Sequence, residues 1–129
     1  MNVVDSSAWL SYFAGDANAA RFAKPIENTE KLLVPSITLT EVFKSILRQR
    51  DEESAFLAVA HMEQGKIIPL DEVLAINAAS FGVELKIPLA DSIIYASAHK
   101  YDAIVWTQDA DFKNLERVKF FPKAKRSKQ

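Results

Sequence analysis

Short apolar runs alternate along this chain with stretches of helical spacing. Four runs stand out: NVVD (2–5), LLVPS (32–36), KIIPLD (66–71) and AIVWT (103–107). They are rich in Val, Ile and Leu without polar alternation, as strands buried on both faces of a parallel sheet must be. SSAWLSYF follows the first run. Later segments repeat apolar residues every three or four positions: Leu39, Val42, Phe43, Ile46 and Leu47, then Phe56, Leu57, Val59 and Ala60, then Val73, Leu74, Ile76, Ala78 and Phe81. Strands alternating with helices predict an α/β fold with a mainly parallel sheet and right-handed crossovers. RVKFF (117–121) adds a fifth strand, and the lysine within it suits an edge. Two crossovers are long enough for helix pairs, 37–50 with 52–64 and 72–86 with 89–101. Asp51 breaks the first pair, and KIP (86–88) breaks the second because the residue before proline is pushed out of helical geometry.

At 129 residues, 49% hydrophobic and 26% charged, the chain is expected to form one domain over 1–122 with a sizeable core. It has no cysteine, which excludes disulfides, thiolate zinc sites and a thiol nucleophile and favours a reducing compartment. MNVVDSSAWL has no basic leader region, and no segment approaches the roughly 20 apolar residues of a membrane span, so a cytoplasmic protein without a membrane partner is expected. The net charge of −1 hides a division: residues 113–129 hold seven Lys or Arg against Glu116 alone, and the rest of the chain is acidic. The end of that segment, 123–129, reads as a basic, disordered, solubilising tail.

Candidate chemistry lies in carboxylates where strands end and helices begin. Asp5 follows the first run and reads equally as a helix N-cap or a functional acid. Thr38 and Glu41 match the capping-box spacing, and taken alone Glu41 reads as a cap residue. Asp91 falls in the first turn of a helix that is otherwise apolar or small, where a charge needs more reason than a dipole, and its functional reading leads. Asp109 and Asp111 close the turn after AIVWT, and turn aspartates are common. Asp71 reads as a plain N-cap of the following helix. In an open parallel sheet the carboxyl ends of the strands share one rim where ligands bind, and that rim would gather Asp5, Glu41 and the 107–111 turn. Asp91 follows a helix and cannot be placed this way.

Crowded carboxylates repel and need cations. An oxygen-only set suits Mg²⁺ or Mn²⁺ rather than zinc, and two such ions about 3.5–4 Å apart are suited to phosphodiester hydrolysis by an activated water. His61 and His99 are far apart in sequence and read as surface or dipole-complementing residues.

VVDSSAWLSYF, VPSITLTEVFKSILR and IPLADSIIYASAHKYDAIVWTQDADF together resemble the PIN-domain family, and within it the VapC-type toxin ribonucleases of type II toxin–antitoxin pairs. The likeness spans nearly the whole chain. It implies a parallel sheet in the order 3-2-1-4-5, with Asp5, Glu41, Asp91 and Asp109 as the four catalytic acids and Asp5, Asp91 and Asp109 as metal ligands. It also places Asp91 in the shared pocket. Ser6, Thr107 and Asp111 take supporting roles. The implied activity is Mg²⁺- or Mn²⁺-dependent RNA cleavage by a homodimer, inhibited by a cognate VapB-type antitoxin. Lys44 and Arg48 share a helical face with Glu41 and suit phosphate or antitoxin contacts, or a solvated surface; Lys86, Lys113 and Arg117 are weaker candidates. Trp9, Tyr12 and Phe13 read first as packing.

A stand-alone PIN-domain RNA-processing nuclease would carry the same acids. A receiver-like Mg²⁺-binding phosphoacceptor would need paired acids after the first strand, where Asp5 is followed by two serines. An interaction module would use its carboxylates only as caps. A nucleotide-binding α/β fold fits less well still, because none of Gly15, Gly65 and Gly82 forms a phosphate-cradling loop.

Overall fold

The computed structural model describes residues 1–124. Strand β1 (Asn2–Val4) is followed by helices α1 (Ser6–Ala14) and α2 (Ala19–Glu27), strand β2 (Leu32–Pro35), helices α3 (Ser36–Gln49) and α4 (Glu52–Met62), and strand β3 (Lys66–Ile68). Helices α5 (Glu72–Leu85) and α6 (Leu89–Lys100) precede β4 (Ile104–Thr107), a 3₁₀ turn at Ala110–Phe112, and β5 (Val118–Phe120). All strand pairings are parallel, in the order β3-β2-β1-β4-β5, the order the sequence resemblance implied.

The unbroken apolar runs have a direct cause. Side chains alternate across a pleated strand, and each face here is covered. Val3, Leu33, Ile68 and Val105 point into one core with Leu74, Ile94 and Phe112. Val4, Leu32, Val34 and Trp106 point into the other with Trp9, Phe22, Val42 and Met62. Residues 91–98 of α6 are buried throughout, as its small and apolar composition requires. Its internal hydroxyls are satisfied by backbone carbonyls: Ser92 Oγ donates to Leu89 O and Ser97 Oγ to Ile93 O. Strand β5 forms an edge, with Lys119 exposed and its ammonium 4.5 Å from the Trp106 ring centroid. Among the described residues, no single helix is long and apolar enough to cross a membrane.

Several boundaries move. The run at 66–71 stops pairing at Ile68, because Pro69 has no N–H for a ladder. Arg117, with φ of +60°, falls outside β5. The KIP break is realised as a left-handed Lys86 that ends α5. Asp51 and Asp71 are N-caps, accepting from Ser54 N and Leu74 N. Helix α2 had no counterpart in the sequence pattern; it contains Pro25 and has no side-chain cap, and it is held by Phe22, Pro25 and Ile26 packing into the core.

The capping box is a correction. Helix α3 starts at Ser36, so Thr38 lies inside its first turn and donates to Pro35 O at 2.7 Å, and Glu41 makes no cap. The expected basic tail begins at Lys123, which is described; the remainder, 125–129, lies outside the described residues.

Candidate metal centre

The sheet order reverses between β1 and β4, and the crevice at their carboxyl ends is the topological switch point. Asp5 closes β1 there and starts α1. Its N–H extends the ladder to Trp106 O at 3.1 Å. Its carboxylate accepts from Ala8 N at 3.3 Å, Ser7 N at 3.4 Å and Ser7 Oγ at 2.9 Å. The side chain is therefore both an N-cap and a fixed, buried charge facing the crevice's floor. Burial pushes its pKa up to about 6, with the Ser7 and Thr107 hydroxyls and the α1 amides pulling the other way.

Glu41 enters from the second turn of α3, half-buried, and accepts a hydrogen bond from Ser6 Oγ at 2.6 Å. The two serines after Asp5 thus divide the work: Ser7 orients Asp5 and Ser6 orients Glu41.

Asp91 is the third residue of α6 and is only 9% exposed. Its pKa is pushed up to about 8, first by burial and then by the charges of Asp109, Asp5, Asp111 and Glu41. Five carboxylates consequently share one electrostatic site. Asp109 sits on the turn after β4, its N–H bonded to Thr107 Oγ1 at 2.8 Å and its Oδ1 accepting from Asp111 N at 2.9 Å. One oxygen each from Asp91, Asp109 and Asp111 lies within 4.8 Å of the others.

No Lys, Arg or His among the described residues forms an ion pair with any of the five; the pairs present are Lys100–Asp71 and Arg117–Asp102. An all-oxygen, uncompensated set of this kind fits a hard divalent cation.

A family model for the PIN domain matches residues 3–118. The chain belongs to the PIN-domain family. Among curated proteins, no sequence relative is matched. The PIN fold is shared with solved structures of low identity. A toxin–antitoxin complex from Klebsiella pneumoniae superposes with a TM-score of 0.79 at 20% identity, covering 95% of this chain and 100% of that one. VapC20 of Mycobacterium tuberculosis, described as a sarcin–ricin loop cleaving toxin, gives 0.75 at 19% identity over 92% and 97%. DNA-bound VapBC from Salmonella typhimurium gives 0.72 at 16% identity over 94% and 96%.

In this PIN domain the residues singled out from sequence fall into three groups. Asp5, Ser6, Glu41, Asp91, Thr107, Asp109 and Asp111 converge on the crevice. Lys44 and Arg48 stand exposed on α3, and Lys86, Lys113 and Arg117 are exposed elsewhere. His99 packs on Phe81, and His61 packs among Trp9, Tyr12 and Phe13. Sequence reasoning had no place for Ser7, Asn18 or Gln108. Asn18 Nδ2 donates to Gln108 Oε1 at 3.1 Å and to Pro122 O at 3.0 Å, and Gln108 Nε2 donates to Ser7 O at 3.3 Å. These bonds tie the Asp109 turn to α1 and α2. The pairing partners lie up to 104 positions apart, so no local motif announces them.

Thr107 is fully buried and holds the turn from inside. Thr107→Val keeps the shape but leaves Asp109 N–H without its acceptor. It is expected to cost about 1–3 kcal/mol of unfolding free energy, read by urea denaturation at pH 5.

Proposed function

We propose that this chain is a metal-dependent ribonuclease, the toxin of a VapBC-type toxin–antitoxin pair, acting in the cytoplasm. The observation that carries this reading is the convergence of five carboxylates on one crevice with no cationic side chain among them. Membership of the PIN family supports it. So do the neighbours: one is described as a sarcin–ricin loop cleaving toxin, one as a toxin–antitoxin complex and one as DNA-bound VapBC.

In this proposal Asp5, Glu41, Asp91 and Asp109 are the catalytic acids. Asp5, Asp91 and Asp109 hold Mg²⁺ or Mn²⁺, and Asp111 is placed to join them. When bound, the ions supply an activated water and neutralise charge on the scissile phosphodiester. The chain's own part is positioning. Ser7 and the α1 amides fix Asp5, Ser6 fixes Glu41, and Thr107 fixes the Asp109 backbone. Asp91, protonated at neutral pH when alone, must release its proton as the site fills, so loading strengthens with pH.

The test is incubation of purified, partner-free protein with total RNA in Mn²⁺, Mg²⁺ or EDTA. Discrete fragments in either metal and none in EDTA are expected. An inert protein with both metals ends the nuclease reading.

The homodimer belongs to the same reading. Val73, Ile76 and Val83 form a stripe along the outer face of α5, each 66–82% exposed, and Leu89 at the start of α6 is 77% exposed. Solvent-facing apolar stripes of this kind mark interaction surfaces. Val83→Asp is expected to convert a dimer to a monomer in light scattering after gel filtration, and an unchanged mass would move the interface elsewhere.

A further inference from the structure

Where the ladder between β1 and β4 ends, side chains take over from the backbone. Asp5 N–H donates to Trp106 O, and among the described residues no later backbone bond joins α1 to the exit of β4. Gln108 spans that gap, its Nε2 donating to Ser7 O at 3.3 Å. Gln108 directly precedes Asp109, and the Ser7 hydroxyl binds the Asp5 carboxylate. One side chain therefore links the supports of two acids of the candidate metal centre.

Asn18 holds Gln108 in turn. It is 7% exposed and stands at the N-cap of α2, where an asparagine side chain ordinarily accepts from first-turn amides. Here it makes no cap bond. Its Nδ2 donates instead to Gln108 Oε1 at 3.1 Å and to Pro122 O at 3.0 Å, partners 90 and 104 positions along the chain. Ser7 O and Pro122 O can only accept, so the nitrogens of both carboxamides must face them, and the direction of the hydrogen-bond chain is fixed from its two ends. Helix α1 sets the backbone of Asn18, whose N–H donates to Asp16 Oδ1 at 3.0 Å while the same oxygen accepts from the Ser11 hydroxyl. A buried capping residue thus gives up its local bond for two distant ones, both at the rim of the crevice.

We propose that Asn18 is a positioning residue of the metal centre, acting through Gln108 to hold the Asp109 turn against α1 and so setting the affinity for the divalent cation. The inference rests on the metal-dependent reading of the crevice and deepens it by naming what fixes Asp109 relative to Asp5. Groups that orient metal ligands from behind change metal affinity or activity about 10–100-fold when they are removed.

Asn18→Ser and Gln108→Met test it. Serine is uncharged and can still cap α2, but it is too short to reach Gln108 and Pro122. Methionine keeps the length of Gln108 without its hydrogen bonds. Calorimetric titration of the full, metal-free chain with Mn²⁺ at pH 8 is expected to show each variant binding about tenfold more weakly, and the double variant no more weakly than the worse single, because both break one chain of bonds. Half-maximal RNA cleavage should need about tenfold more Mn²⁺, with KM for RNA unchanged once the metal is saturating. Without metal, hydrogen exchange at the Asp109 and Asp111 amides, which donate to Thr107 Oγ1 and Asp109 Oδ1, should quicken about tenfold while the central strands exchange as in the wild type. Ile26→Val, which trims the packing of α2 alone, is the control: it should lower the urea midpoint and leave Mn²⁺ affinity unchanged.

Wild-type Mn²⁺ affinity and turn exchange in both variants would overturn the proposal while leaving the metal centre standing. Fully additive losses in the double variant, or an equal loss of affinity in Ile26→Val, would make Asn18 a residue of the fold alone and overturn it as well. A wild-type chain that binds no Mn²⁺ ends the metal reading and this proposal together, an outcome told apart from the others because the unaltered protein itself then fails.

Discussion

Asp91→Asn is expected to lower kcat/KM for RNA cleavage in Mn²⁺ by at least about a hundredfold to a thousandfold, the scale of removing one preorganised polar group that stabilises a transition state. The change keeps the side-chain shape in the first turn of α6 and removes only its capacity for charge. It also removes a carboxylate whose ionisation is opposed by burial and by four neighbouring acids. Folding stability at neutral pH should therefore stay level or rise, which separates lost chemistry from a lost fold. Asp71→Asn is the control. Asp71 is also an aspartate at a helix start, but it is exposed, caps α5 through Leu74 N and pairs with Lys100, away from the crevice. Its loss should leave cleavage unchanged. An Asp91→Asn protein that kept a tenth or more of wild-type turnover would remove Asp91 from the catalytic set.

The contrast between these two aspartates shows what the sequence could convey. Burial on both sides of the sheet writes itself as continuous apolar runs, so the strands and their parallel class were legible, and the rim followed from the class. Asp91 stood out because charge is costly in a helix as apolar as α6. Contacts between distant segments left no such trace. Glu41 fitted a local capping box, yet its partner is Ser6, 35 positions away, because the helix begins one turn earlier than Thr38 would place it. By spacing alone Asp109 and Asp111 were both turn aspartates, and only the family resemblance set Asp109 apart as a metal ligand with Asp111 in support. The 3₁₀ turn at Ala110–Phe112 swings both carboxylates toward Asp91, a geometry no spacing rule encodes. Helix α2 went unread because Pro25 in its interior breaks the helical pattern, and packing of Phe22 and Ile26 overrides that local break.

Metal-free protein should lose stability as pH rises from 5 to 8.5, the reverse of an ordinary salt-bridged acid. Asp5 and Asp91 both have folded pKa values above the usual 3.8, at about 6 and about 8. Below pH 4 the folded and unfolded chains both hold these protons and no penalty exists. Above it the unfolded chain releases them first, so it binds fewer protons than the native state and unfolding is favoured with each increment of pH. The penalty stops growing once pH passes the folded values. For the fully buried Asp5, a shift of roughly two units corresponds to about 3 kcal/mol of lost stability by pH 7 to 8. Asp51, whose pKa is lowered by capping α4, acts in the opposite sense and only in acid, outside this window. Urea denaturation in EDTA across the range reads the total, and Asp91→Asn should remove the part of the slope that persists above pH 7. On the proposed reading, Mn²⁺ or Mg²⁺ is expected to bind the ionised native site alone. A saturating concentration, about 100-fold above Kd, should return roughly 3 kcal/mol at pH 8 and much less at pH 5, where protons compete for the same oxygens. A flat profile in EDTA, together with indifference to both metals at pH 8, would mean that the carboxylates are not packed as closely as the crevice geometry places them, and the metal centre would have to be abandoned.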